Sequence, residues 1–222
     1  MTLNDLLYTL TYLTLASILF PVGQGLAGWS RLSPGQRVLT LGLGGYFLLL
    51  GFSLLSVRLG WNVQFASGYA VSILYGLTFT TVYALALPHG RERWLVIGLG
   101  SAAVLYELAD LWMVSGLGSL EGYSIPIMTL VLVISTLIFL YHLIRNPAER
   151  SLLAVPMFWV AGAKLLSGLV NGLLDLFQPQ LMVYSMRLLM YLYIFTNLVL
   201  ILCNIMYAIG IRKEANPRLI RI

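Results

Sequence analysis

The sequence predicts an all-α protein: one bundle of seven transmembrane helices, N-terminus outside and C-terminus in the cytoplasm. Three observations carry this. Hydrophobic residues make up 59% of the 222 positions and charged residues only 9%, against roughly 25% charged in an average soluble domain. The apolar residues fall into seven stretches, each near the roughly 20 residues that a helix needs to cross a bilayer. The basic residues gather on one side of those stretches.

The same arithmetic excludes other classes. A soluble fold of this size could not cover its surface with 13 basic and 8 acidic side chains. The chain is too apolar for disorder, and Cys203 stands alone, which rules out a disulfide scaffold or a thiolate metal centre. A formal charge of +5 invites a nucleic-acid partner. The basic residues, however, sit in short gaps between apolar stretches and form no stripe, so none is expected.

The spans run over about 4–28, 38–59, 66–88, 94–118, 125–145, 157–177 and 182–211. Ser33-Pro34-Gly35 follows the first, Pro88-His89-Gly90 ends the third and Asn146-Pro147 ends the fifth. Pro126 and Pro156 stand at helix starts, where proline costs little. The first span carries Asp5 before its apolar run and no basic n-region, so it reads as a retained helix and not as a cleavable signal. Residues 1–211 form one transmembrane domain, and 212–222 form a basic cytoplasmic tail.

Orientation follows from charge. With the N-terminus outside, Arg31, Arg37, Arg91, Arg93, Arg145, Arg150, Arg212, Lys213, Arg218 and Arg221 all face the cytoplasm, against Arg58 alone on the other side. In the tail, Arg212, Lys213, Arg218 and Arg221 are expected to lie against the inner leaflet, each worth about 1 kcal/mol near an anionic surface. Trp29, Trp61, Trp94 and Trp159 lie near span ends, as an aromatic belt requires.

Charge inside the membrane is costly and points to function by default. Glu107 and Asp110 share a helix face at i, i+3, roughly 20 and 24 Å from the cytoplasmic side. Arg187 counts to about the same depth, and its planar fork suits carboxylates, so it is the expected ion-pair partner. Lys164, Gly168, Asn171 and Asp175 form one stripe along span six, and Gly168 and Gly172 allow close helix approach. Tyr69, Ser72, Gly76, Thr80 and Tyr83 form another along span three. Two readings stand side by side. Either these charges are structural pairs that set helix register, or Glu107, Asp110, Trp112, Lys164, Asn171, Asp175, Arg187 and Tyr191 line an outward-facing site for a small polar or anionic ligand, with Trp112 as its floor.

Catalytic signatures are missing from the sequence. His89 and His142 lie at cytoplasmic span ends, unsuited to transmembrane haem ligation, and no HExxH, GxSxG, P-loop or zinc-ligand cluster is present. Cofactor and metal are therefore not expected. Lys164 raises a retinal Schiff base, but microbial rhodopsins carry that lysine in the last helix, and span seven has none. The span count and orientation match the gross layout of SWEET-type sugar carriers. Pro21-Val22-Gly23-Gln24 and Pro126-Ile127-Met128 do not match the proline-glutamine signatures of those carriers.

One resemblance rests on the last third of the chain. Phe158-Trp159 opens a glycine-containing helix, Asn171 follows, and Asn197 precedes Asn204-Ile205-Met206-Tyr207-Ala208-Ile209-Gly210. Over about residues 145–212 this resembles a group of uncharacterised bacterial seven-helix membrane proteins considered as sensor-kinase partners. It departs from that group at Lys164, where an apolar residue is the norm. The resemblance implies a sensory or accessory role and transfers no active site. The expectation is a non-enzymatic protein of the bacterial inner membrane, acting through a membrane protein partner or a second copy. A small-solute carrier and a structural subunit of a larger complex are the alternatives.

Overall fold

The computed structural model describes residues 2–61, 64–112, 124–146 and 151–216, and every regular element among them is helical. Helices α1 (Leu3–Ser17) and α2 (Leu19–Ala27) lead to α3 (Pro34–Arg58), α4 (Gln64–Ala86), α5 (Arg91–Asp110), α6 (Ser124–Arg145), α7 (Pro156–Tyr184) and α8 (Met186–Ala215). Among the described residues, six helices are long and apolar enough to cross a membrane: α1 with α2 as one unit, α3, α4, α6, α7 and α8. α5 falls short of that measure because Arg91, Glu92, Arg93, Glu107 and Asp110 dilute its apolar run.

The break between α1 and α2 has a local cause. Pro21 has no N–H to offer the Ser17 carbonyl, and its ring crowds that carbonyl, so the first helix stops at Ser17. Thr2 and Asp5 close the opposite end of α1 in a capping box. Pro34 starts α3 and Pro156 starts α7, both in the first turn.

Each helix packs on its neighbour in sequence, and the last returns to the first: α8 lies along both α1 and α2, closing a ring. Within the ring α4 also touches α6. Two hydrogen bonds fasten the closure. Thr14 Oγ1 donates to Asn197 Oδ1 at 2.8 Å, and Asn204 Nδ2 donates to Ser17 Oγ at 2.8 Å. These pairs, with Gly28 against Ala215, advance in the same direction on both helices, so α1–α2 and α8 run parallel. Neighbouring helices elsewhere run antiparallel: Glu92 meets His142 at one end of the α5–α6 pair, and Asp110 meets Ser124 at the other.

Small residues set the helix spacing. A Cβ added to Gly25 would overlap Thr40, one on Gly42 would overlap Thr78, and one on Gly100 would overlap Thr80. The core between the helices is aromatic. Tyr46, Tyr75, Phe79, Tyr83 and Phe139 follow one another at centroid distances of 4.6–6.1 Å, with Tyr207 beside Phe79 at 6.0 Å.

Several boundaries differ from the sequence reading: α3 starts at Pro34 instead of 38 and α5 at Arg91 instead of 94, and two further shifts bear on the site. α7 continues to Tyr184, past Pro179, instead of ending near 177. α8 starts only at Met186, where the Ser185 hydroxyl accepts the Leu188 N–H at 3.2 Å and caps it. The far end of span four (113–118) and the tail residues Arg218 and Arg221 lie outside the described residues, as does Arg150.

The described basic residues divide by end of the bundle. Arg31, Arg37, Arg91, Arg93, Arg145, Arg212 and Lys213 sit at one end; Arg58 and Arg187 sit at the other. The basic end is tied together. Glu214 Oε1 accepts the Ser33 N–H at 2.6 Å, Arg31 bonds Asn216, and Lys213 lies 6.0 Å from the Trp159 ring centroid.

Candidate functional site

Among the described residues, two centres with ionisable side chains lie buried inside the bundle. The first is built by α4, α5 and α6. The buried residues Val96, Gly100, Ala103, Val104, Glu107 and Asp110 recur every three or four positions along α5 and make one inward face. Its small members let α4 come close, and both acids ride on that face into the interior. Asp110 is 4% exposed, and its Oδ2 accepts hydrogen bonds from the Tyr69 hydroxyl at 2.9 Å and the Ser124 hydroxyl at 2.7 Å. Glu107 is 0% exposed, and neither of its carboxylate oxygens accepts a hydrogen bond. The Ser72 hydroxyl stands beside it, short of good hydrogen-bond geometry, and Asp110 is its charged neighbour.

The second centre is Lys164 on α7, buried and pointing into the aromatic column. Its amine sits 4.6 Å from the Tyr75 ring centroid and 4.8 Å from that of Phe79. No carboxylate pairs with it, since the only ion pair among the described residues joins His142 to Glu92 at 2.6 Å. Two ring faces carry the negative quadrupoles that offset part of its desolvation. From α8, Cys203 is the electrostatic neighbour of Lys164 and Tyr207 packs on Phe79, its hydroxyl without a hydrogen-bond partner.

The expected ion pair between Arg187 and Glu107 or Asp110 is absent. Arg187 is exposed and lies 6.0 Å from the ring of Tyr191, its neighbour on the same helix. Two physical reasons account for this. Because α8 starts at Met186, Arg187 falls in its first turn, roughly 39 Å along the helix from Lys213, and not at mid-depth. α5 packs on α4 and α6, whereas α8 packs on α7, α1 and α2, so the two helices belong to different parts of the ring. Arg187→Met is accordingly expected to leave unfolding in detergent within about 0.5 kcal/mol of wild type, as for an ordinary surface change. A loss above about 2 kcal/mol would restore a buried pairing role.

The other candidates scatter. Trp112 is 83% exposed and floors no interior pocket, and Tyr191 is 47% exposed. Asn171 and Asp175 are half-buried on α7, with Tyr193 as the electrostatic neighbour of Asp175. The structure thus groups Glu107 with Asp110 and sets Lys164 apart. The stripe Tyr69, Ser72, Gly76 and Tyr83 does turn inward. Sequence reasoning missed Tyr75, Phe79 and Ser124; the i, i+4 spacing of the first two was available as a signal.

The larger grooves lie elsewhere. One of about 380 Å³ runs between α7 and α8, and one of about 430 Å³ between α6 and α7, both lined by apolar side chains. A third, of about 300 Å³, runs between α4 and α5 from Arg93 past Thr80 and Ser101 to Val104, one turn short of Glu107.

No protein-family model, curated protein or solved structure matches the chain.

Proposed function

We propose that this chain is a seven-span integral membrane protein with a sensory or accessory role: it takes up a small polar ligand beside Glu107 and acts through a membrane partner, without enzymatic chemistry. The observation that carries the ligand site is the Glu107 carboxylate, fully buried with no hydrogen bond to either oxygen. A buried polar group left unsatisfied costs several kcal/mol, roughly, so such a group signals a missing partner.

Seven crossings are supported by the ring. Parallel first and last helices joined through antiparallel neighbours need an odd number of crossings, and α5 supplies the seventh. Its 20 residues span about 30 Å, the thickness of the hydrocarbon core. N-out, C-in orientation in the bacterial inner membrane is supported by the seven described basic residues at one end against two at the other. A reporter fused after Ile222 should score cytoplasmic; a periplasmic score inverts the topology. The short connections between the helices favour a signal that travels through the helices themselves to a neighbour in the membrane.

Purification from native membranes in gentle detergent, followed by mass spectrometry, tests the role. The expected result is a polar small molecule or ion retained by wild type, together with a stoichiometric membrane protein. Solute flux in proteoliposomes with neither of these retained would replace this reading with a carrier.

A further inference from the structure

We infer that the ligand at Glu107 is a small cation, either a monovalent metal ion or a proton. This rests on the ligand site just proposed and adds its charge and size. Charge comes first. Two acids one turn apart on α5 face the same interior, and the Glu107 oxygens accept no hydrogen bond. From the packed helices, Ser72 on α4 stands beside Glu107, while Tyr69 on α4 and Ser124 on α6 bond to Asp110; none of these three is cationic. The basic residues of these helices, Arg91, Arg93 and Arg145, stand at the far end, with Arg91 roughly 24 Å along α5 from Glu107. The connecting sequence 113–123 contains Glu121 and Tyr123 but no Lys or Arg. Lys164 is turned away onto its aromatic rings. An anion would meet like charge here, and a neutral molecule would leave the carboxylate charge uncompensated.

Size comes second. Among the described residues, the hydroxyl-lined groove between α4 and α5 stops at Val104, and the larger grooves flank α7. An organic ammonium would need a cavity at Glu107, whereas a bare ion or proton needs only oxygen atoms. Glu107 offers two, and Ser72 and Asp110 stand beside it. Oxygen ligands of this kind suit a hard cation, and so few of them fall short of the roughly six to eight that calcium takes.

The test uses the full chain in detergent micelles. Thermal unfolding is followed while NaCl replaces choline chloride at constant ionic strength and fixed pH, then across a pH series in choline alone. Wild type is compared with Glu107→Gln, which keeps the shape and removes the charge, and with Asp110→Asn in case the first variant does not fold. For a metal ion, Na⁺ or Li⁺ raises the melting temperature saturably by several degrees, and the rise disappears in Glu107→Gln. For a proton, salt identity has no effect, but acidification raises wild-type stability relative to Glu107→Gln, so that the difference between the two shrinks as pH falls. Proton release or ²²Na⁺ binding measured on wild type alone checks either result without a variant. Identical responses of wild type and Glu107→Gln to salt and to pH overturn the cation. If mass spectrometry then still finds a polar molecule that Glu107→Gln releases, the site stands and only its ligand class falls. If that variant releases nothing, the site falls as well.

Discussion

Phe79→Ala should be among the most damaging single changes in the chain, and Lys164→Met should return part of the loss. Phe79 is 0% exposed and touches Tyr75, Tyr83 and Tyr207. Truncating a buried phenylalanine costs about 3–5 kcal/mol through lost burial and the cavity left behind. Here there is a second cost, because the Lys164 amine loses one of the two rings beneath it. A desolvated cation–π contact is worth about 2 kcal/mol, and that part should vanish once Lys164 is methionine. Lys164→Met alone should be neutral or stabilising, since it replaces an unpaired buried charge with an apolar side chain of similar length. Denaturant unfolding of the four members of this double-mutant cycle in detergent gives the coupling directly. Additivity within about 0.5 kcal/mol would mean that the ring does not hold the amine.

The apolar spans were legible because a stretch of about 20 apolar residues has few alternatives. Ring closure was not, because its bonds join positions 183 and 187 residues apart in sequence. Glu107 and Asp110 were legible as a pair because helical spacing alone puts them on one face. Their partner was not: a depth count from a start near 182 misplaces Arg187, since Ser185 sets the start four residues later. Depth also says nothing about which helices are neighbours. Lys164 was legible as a buried charge, but Tyr75 and Phe79 look like ordinary core aromatics until a lysine from another helix is set over them.

The glycines tell a similar story, with a larger consequence. Gly168 and Gly172 were visible as a small-xxx-small pair, yet the tightest approaches involve glycines whose threonine partners lie on other helices. On α4, Thr78 rests on Gly42 of α3 and Thr80 rests on Gly100 of α5, so this helix is clamped from both sides. Membrane helices gain their association from such close packing, because hydrocarbon supplies no hydrophobic drive between them.

Gly100→Val should therefore cost about 3 kcal/mol in detergent unfolding, at the upper end for overpacking, and Gly100→Ala somewhat less. The rescue is specific. The Thr80 hydroxyl is buried without a hydrogen bond, so Thr80→Ala removes an unsatisfied group and frees space for the methyl that Gly100→Ala adds. The Thr80 Cβ still lies 2.8 Å from where the new Cβ would sit, so the helices must part slightly and rescue of Gly100→Ala should be incomplete. Valine, with two more methyl groups, should not be rescued. Gly100 is two turns below Glu107 on the same buried face. Forcing α4 from α5 there should also loosen the Tyr69–Asp110 hydrogen bond above it, and with it the geometry beside Glu107. The measurement that decides is the pair of unfolding curves for Gly100→Ala with and without Thr80→Ala: equal stability of Gly100→Ala and wild type would mean that α4 and α5 are not in contact at this level.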